Sequence, residues 1–335
     1  MSSKINRLAR TGGAIYGLLL AMGSVALAQP ADYPNKSVRI ITDAAAGNAN
    51  DVTIRLLGEQ LQQVWKQQIV VMNHPGAGGG IAARAASQLE PDGYNFYVPG
   101  ASSFLALKDA SGVSPNLPVV VPRDYKPVSM LTLQPMFIGV SHKLGVSNVK
   151  ELIELAKQKP GEIAYAANGR GRITHLAMEL FQERAGIKLN FVPYAGGPPA
   201  AMNDVISGRI GIVLEGYSGM GGAIEGNSIK GIGVATLERL KEFHDMPTVA
   251  ETLPGYFAGG WTVLLAPNGT PDAIIRKVSA DVEKAQTNPE FVARLGKLGA
   301  YLTKMSPQDV QAFVNREQDT WRPILEKLAA TEEKK

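Results

Sequence analysis

Short β-prone runs alternate with amphipathic helices along this chain, and that alternation restricts it to a sheet covered by helices on both faces. Ser37–Thr42 reads as a strand, with Val38, Ile40 and Ile41 as its apolar residues. Asp51–Trp65 reads as a helix with Val52, Leu56, Leu57, Leu61, Val64 and Trp65 on one face. Ile69–Met72 is the next strand and Ile81–Leu89 the next helix, an order that predicts a parallel sheet. A second array follows Gly145: helix Val149–Gln158, strand Ile163–Ala166, helix Thr174–Ala185, strand Asn190–Val192, helix Ala200–Ser207, and strands Ile210–Leu214 and Ile229–Ala235. After Trp261–Ala266 the pattern turns helical over Asp272–Thr287, Pro289–Leu298 and Pro307–Leu328, the last expected to break near Pro323. The charged tail Ala329–Lys335 is expected to fray.

Lys4, Arg7 and Arg10 precede an apolar stretch, Gly12–Leu27, that ends in Ala26-Leu27-Ala28. This is the layout of a secretory signal peptide over residues 1–28, cut after Ala28, which sends the remainder to the periplasm. An uncleaved anchor is the rival reading; the stretch is short and glycine-rich for a membrane span, and the cleavage motif speaks against it. Without those three cations the formal net charge falls from +4 to +1. A near-neutral chain with 7% aromatic residues gives no support to a nucleic-acid partner. There are 0 cysteines, which excludes a disulfide framework, zinc–thiolate sites and a cysteine nucleophile. Roughly 300 exported residues are enough for two domains with substantial cores.

Each half has a strand, a loop rich in small and amide residues, and then a helix. The first loop is Ala46-Gly47-Asn48-Ala49-Asn50-Asp51 and the second Asn168-Gly169-Arg170-Gly171-Arg172. Ligands of open α/β sheets bind at the carboxyl ends of strands, where helix N-termini present N–H groups and partial positive charge. Arg170 and Arg172 add forked donors that match carboxylates. Facing one another, the two loops would line a cleft suited to a ligand anionic at both ends. Thr174 stands at the expected N-cap of its helix, and Asn50 or Asp51 at that of the first.

Other motifs fall short of catalytic or cofactor signatures. Asn73-His74-Pro75-Gly76-Ala77-Gly78-Gly79-Gly80 completes neither a dinucleotide fingerprint nor a phosphate-binding loop, so no nucleotide cofactor is expected. None of the 4 histidines has metal-ligand spacing, so no metal is expected. Gly216-Tyr217-Ser218-Gly219-Met220 misses the nucleophile elbow at Met220. His175 can be a base, a ligand donor or a structural hydrogen-bonder, the last favoured because no acid or nucleophile pairs with it by motif. Tyr194, at the end of its strand, can flank a ligand or fill the core.

Several segments in order resemble the periplasmic solute receptors of tripartite tricarboxylate transporters, the Bordetella-uptake-gene family. They are Tyr33-Pro34 with Val38-Arg39-Ile40-Ile41, Ala46-Gly47 with Asp51, Asn73 to Gly79, Pro91-Asp92-Gly93-Tyr94, and Gly169-Arg170-Gly171 with His175-Leu176-Ala177 and Glu179. Val192-Pro193-Tyr194 with Gly196 and Pro199-Ala200, Met246 to Glu251, and Gly260-Trp261 with Ala266 to Pro271 complete the set. The resemblance implies a two-lobed α/β periplasmic-binding-protein-like fold without catalysis. Its crossovers would lie near Pro127–Val140 and Gly259–Pro267, with domain one over 29–133 plus 260–335 and domain two over 134–259.

The resemblance further implies a ligand carboxylate held by the loops Ala46–Asp51 and Asn168–His175, and handover to integral membrane subunits. The candidate site is therefore Ala46, Gly47, Asn48, Asn50 and Asp51 on one wall, Asn168, Gly169, Arg170, Gly171, Arg172, Thr174 and His175 on the other, and Tyr194 beside the apolar part. Departures from the family pattern bear on specificity. Ala44-Ala45 stand where an aromatic–proline pair is usual, and Asn48 where a second glycine is usual. Ala167, Asn168 and Arg172 replace common serines, Ala195 a frequent lysine and Gly211 a usual acid. Lost aromatic bulk and gained arginines point to a di- or tricarboxylate, aliphatic or aromatic, bound by a monomer. The competing class is an exported hydrolase using His175 or Ser218; a third, an adhesive envelope protein, would bind no small solute.

Overall fold

The computed structural model describes residues 32–106, 117–120, 123–167, 169–194 and 198–332. Residues 1–28, expected as a signal peptide, lie outside the described residues, as do Asn168 and Ala195. The first half runs β1 (Val38–Thr42), α1 (Ala49–Trp65), β2 (Ile69–Asn73), α2 (Gly80–Ala86), β3 (Asn95–Val98) and α3 (Ala101–Phe104). A long strand, β4 (Tyr125–Val140), leads to α4 (Val149–Gln158), β5 (Ala164–Ala167), α5 (Ile173–Ala185), β6 (Asn190–Pro193), α6 (Pro198–Ile206), β7 (Ile212–Gly216), α7 (Tyr217–Glu225) and β8 (Lys230–Val234). The chain returns through β9 (Gly259–Pro267) to α8 (Asp272–Ala285), α9 (Pro289–Gly296) and α10 (Pro307–Glu332).

The strands form one sheet in the order β2-β1-β3-β9-β4-β7-β5-β6, with β8 also paired to β4. The sheet is mixed, not purely parallel. β1 is parallel to β2 and β3, and β5 to β6 and β7, whereas β4 and β9 run antiparallel to each other and to their other neighbours. Between Tyr125 and Pro135, β4 pairs with β9; from Met136 onward it pairs with β7 and, from Phe137, with β8. One strand thus serves both βα arrays. The main apolar core includes Tyr97, Met130, Ile138, Phe181, Tyr256, Trp261 and Trp321; a second, around Phe137, Val205, Val213 and Met220, lies in the later array. α10 packs on β4 and on α5. It continues through Pro323 instead of breaking, because Val310, Val314, Trp321 and Leu325 bury one stripe on both sides of the proline. No helix among the described residues is long and apolar enough to cross a membrane.

Local hydrogen bonds build the two strand-end loops. Before α1 the cap is Asn48, not Asn50 or Asp51: its Oδ1 accepts the Asp51 N–H at 2.9 Å. Asp51 reciprocates, accepting the Gly47 N–H at 2.8 Å while Gly47 turns the chain at φ +82°. The Asp51 carboxylate also accepts from Arg55 Nε at 3.0 Å and from Asn73 Nδ2 at 2.8 Å, fastening the loop to the end of β2. Burial pushes the Asp51 carboxyl up, but the Arg55, Gly47 and Asn73 bonds outweigh it and hold the group below its ordinary value.

Before α5 the N-cap position falls to Arg172, whose side chain makes no cap bond; Thr174 is already inside the helix and buried. The cap falls two residues before Thr174 because the glycine turn ends at Gly171, with φ +69°. The Gly171 N–H donates to Nδ1 of buried His175 at 3.2 Å, which puts the ring proton on Nε2, 3.7 Å from Glu179 Oε1. Phe191 packs on the imidazole at 4.1 Å between centroids. Burial, helped by the Arg170 charge, pushes His175 down to about 4 from an ordinary 6.5.

The unfolded chain therefore binds a proton near pH 6.5 that the folded imidazole takes up only near 4. The neutral ring contributes its full stability above the unfolded value and loses it as pH falls through that interval. In His175→Asn the side-chain oxygen can still accept the Gly171 N–H, but nothing titrates. Urea midpoints should fall steeply for the parent from pH 6.5 to about 4 and stay flatter for the variant; parallel profiles would contradict this. Asp51→Ala strands three donors and should cost about 2–4 kcal/mol at neutral pH by the same measurement.

Candidate functional site

A cavity of about 480 Å³, the size of a small-molecule site, opens where strands of both arrays end. From the first array come Asp43, Ala44 and Ala45 after β1, Gly47, Asn48 and Asn50 at the start of α1, and Gly100, Ala101 and Ser102 after β3. Arg172, Ile173 and Thr174 open α5 on the other side; Glu215, Gly216, Ser218 and Gly219 lie at the junction of β7 and α7. Gln134 and Met136 of β4, with Gly260 and Trp261 of β9, complete the lining. The N-terminal ends of α1, α5 and α7 thus meet at one space, and the N-cap residues of α5 and α7, Arg172 and Gly216, make no side-chain cap bond. That arrangement attracts negative charge.

Arg172 is the sole cation among the described lining residues. Its guanidinium reaches across to the other array and donates to the Gly78 carbonyl at 3.2 Å. Asp43 lies within reach of that charge. It accepts the Gly100 N–H at 2.8 Å, and Ser103 Oγ lies 3.5 Å away. A Cβ on Gly79 would sit 2.9 Å from the Asp43 carboxylate and one on Gly100 3.1 Å, so the acid is packed directly against backbone. Burial pushes the Asp43 carboxyl above its ordinary value, against the opposing pull of Arg172 and the Gly100 N–H. Glu215 is the second acid of the lining, its Oε1 accepting the Gly216 N–H at 3.0 Å. Asn50 Oδ1 receives Gln134 Nε2 at 2.9 Å and Thr262 Oγ1 at 3.0 Å, which ties α1 to β4 and β9 at the cavity floor. Trp261 is a rigid wall, edge-on to Phe313 at 5.5 Å.

Of the residues singled out in the sequence, Gly47, Asn48, Asn50, Arg172 and Thr174 come together on this cavity. Ala46, Asp51, Gly169, Arg170, Gly171 and His175 do not line it. Asp51 and His175 instead fix the two loops from behind, and the Arg170 charge acts on His175 and Tyr165. Tyr194 is drawn elsewhere, its hydroxyl donating to Asp204. Ser218 reaches the cavity and His175 does not, so the two are no nucleophile–base pair. Asp43, Gly100–Ser102, Gln134, Glu215 and Trp261 escaped sequence reasoning; the short β3–α3 link and the start of α7 carry no charge pattern that marks a site.

Comparison with known proteins agrees with this architecture. The tripartite tricarboxylate transporter family receptor matches residues 53–330. Protein BugT of Bordetella pertussis is 30% identical over 319 residues, covering 95% of this chain and 97% of that protein. Among solved structures, R. palustris Rpa4515 with adipate is 28% identical at a TM-score of 0.79, covering 89% of this chain and 99% of the other. MatC from Rhodopseudomonas palustris with bound malate is 26% identical at 0.74, covering 88% and 100%. The α/β fold is that of periplasmic binding proteins. The chain belongs to the tripartite tricarboxylate transporter receptor family, whose members are periplasmic solute-binding receptors and not enzymes.

Proposed function

We propose that this receptor captures an organic anion by at least one carboxylate, held between the Arg172 guanidinium and the N-terminal ends of α5 and α7. One observation carries the reading: the single cation of the described lining sits where the N-termini of α1, α3, α5 and α7 meet. The relatives bound to adipate and to malate support carboxylate chemistry. Di- and tricarboxylates, aliphatic or aromatic, are the first ligands to try, because Ala44 and Ala45 leave the wall beside Asp43 without bulk.

The receptor would be exported by residues 1–28, work as a monomer in the periplasm, and hand its ligand to integral membrane subunits. Domain one would comprise 29–133 and 260–335, domain two 134–259, hinged where β4 exchanges β9 for β8 near Pro135. Closure follows from contacts that exist only when both walls meet the ligand.

Isothermal titration of the exported chain against a carboxylate panel should find one ligand per chain, recovered unchanged. Binding confined to uncharged or cationic solutes would refute the reading. Arg172→Ala should weaken the bound carboxylate by about 1.5–3 kcal/mol, since a charge-assisted hydrogen bond is removed; unchanged affinity would place that guanidinium off the ligand. Small-angle scattering should show a smaller radius of gyration once ligand is added.

A further inference from the structure

One short stretch of backbone brings Arg172 and Asp43 to the same place. The guanidinium crosses from the start of α5 and donates to the Gly78 carbonyl at 3.2 Å. The next residue, Gly79, lies against Asp43: at φ +98° it has no side chain, and a Cβ there would stand 2.9 Å from Asp43 Oδ2 and 2.8 Å from Ser103 Oγ. Asp43 Oδ1 accepts the Gly100 N–H at 2.8 Å, and Oδ2 faces Ser103 Oγ at 3.5 Å. The carboxylate is therefore held in place on the cavity wall, and the full positive charge acting on it is that of Arg172. The other ionisable groups around it bring no cation. Tyr97 of β3 is kept protonated by burial, with the Asp43 charge adding to the effect, and Glu215 of β7 is the other acid of the described lining.

A ligand carboxylate seated on Arg172 takes the charge that offsets Asp43 and adds a second anion beside it. Two anions on one cation in an enclosed site are costly. Gly79 and Gly100 keep the acid from turning away, so its charge is removed by protonation. We propose that Asp43 is the resident counter-ion of Arg172 and that a ligand carboxylate displaces it, the acid taking a proton from solvent as the guanidinium turns to the ligand, so that the receptor captures its anion together with H⁺. This rests on the carboxylate reading above and adds a proton to it. Protonation at Oδ2 leaves the Gly100 bond to Oδ1 intact and points a donor toward Ser103. Burial already favours the neutral acid and Arg172 opposes it, so diverting the guanidinium tips the balance. The liganded receptor then holds more protons than the free one, and affinity falls as pH rises.

The test titrates succinate, adipate and terephthalate calorimetrically into the exported chain between about pH 7 and 9, where the probes are fully ionised and His175 is neutral. Each titration is repeated in buffers of different ionisation enthalpy, so that the dependence of the heat on the buffer counts the protons taken up. For a probe that binds, the parent should take up protons, and its affinity should weaken about tenfold or more across the range. Asp43→Asn keeps an acceptor for the Gly100 N–H but cannot titrate. Its affinity should change less than about twofold, with no proton uptake, and at the alkaline end it should bind more tightly than the parent. Glu215→Gln should keep the pH dependence. Parent binding with flat affinity and no proton uptake overturns the proposal without any variant having to fold. A pH dependence that survives Asp43→Asn, or that follows Glu215 instead, also overturns it; in each case the carboxylate reading stands. If none of the three probes binds at any pH, both fall.

Discussion

The antiparallel pairing of β4 with β9 is the contact on which the rest of the molecule depends. Each βα array is internally parallel, and parallel strands need crossover connections. What joins the arrays is the 16-residue β4, which keeps β9 as partner up to Pro135 and then takes β7 and β8. Strand ends of both arrays open toward one space as a result, and the loops after β1, β3 and β7 line it together with the start of α5. The rule that open α/β sheets bind at carboxyl strand ends is thus applied twice around a shared strand.

Inside that space the electrostatics come from backbone as much as from side chains. Helix N-termini contribute fixed partial charge that no rotamer change removes. The side chains nearest them are occupied in holding shape: Asn48 caps α1, Asp51 fastens its loop to Arg55 and Asn73, and His175 accepts from Gly171. Such supporting bonds keep donors aimed before a ligand arrives, which lowers the ordering cost of binding.

Periodicity made α1, α4, α8 and α9 legible, because each buries one apolar stripe. The mixed sheet was not legible, since antiparallel direction in β4 and β9 is set by long-range pairing and leaves no local pattern. α7 was hidden by Ser218, Gly219, Gly221 and Gly222, poor helix formers that tertiary packing of Met220 overrides. The two strand-end loops were found by their glycines and amides, yet the division of labour within them was not. Asp51 and His175 are chemically plausible ligand groups that the fold uses as struts, while Asp43 and Glu215 look in sequence like ordinary strand-end acids. Sequence spacing shows which residues share a loop; which way each side chain turns depends on partners such as Asn73 and Gly100, far away along the chain.

Gln134 and Met136 bracket the point where β4 changes partners, and both touch the cavity. Under the hinge proposed above, a solute resting on them would lie close to its axis. With so short a lever arm, a difference of one bond length in the solute would become a larger difference at the outer rims. On that proposal, a membrane subunit feeling only the rims would gauge the size of a cargo it has not yet touched.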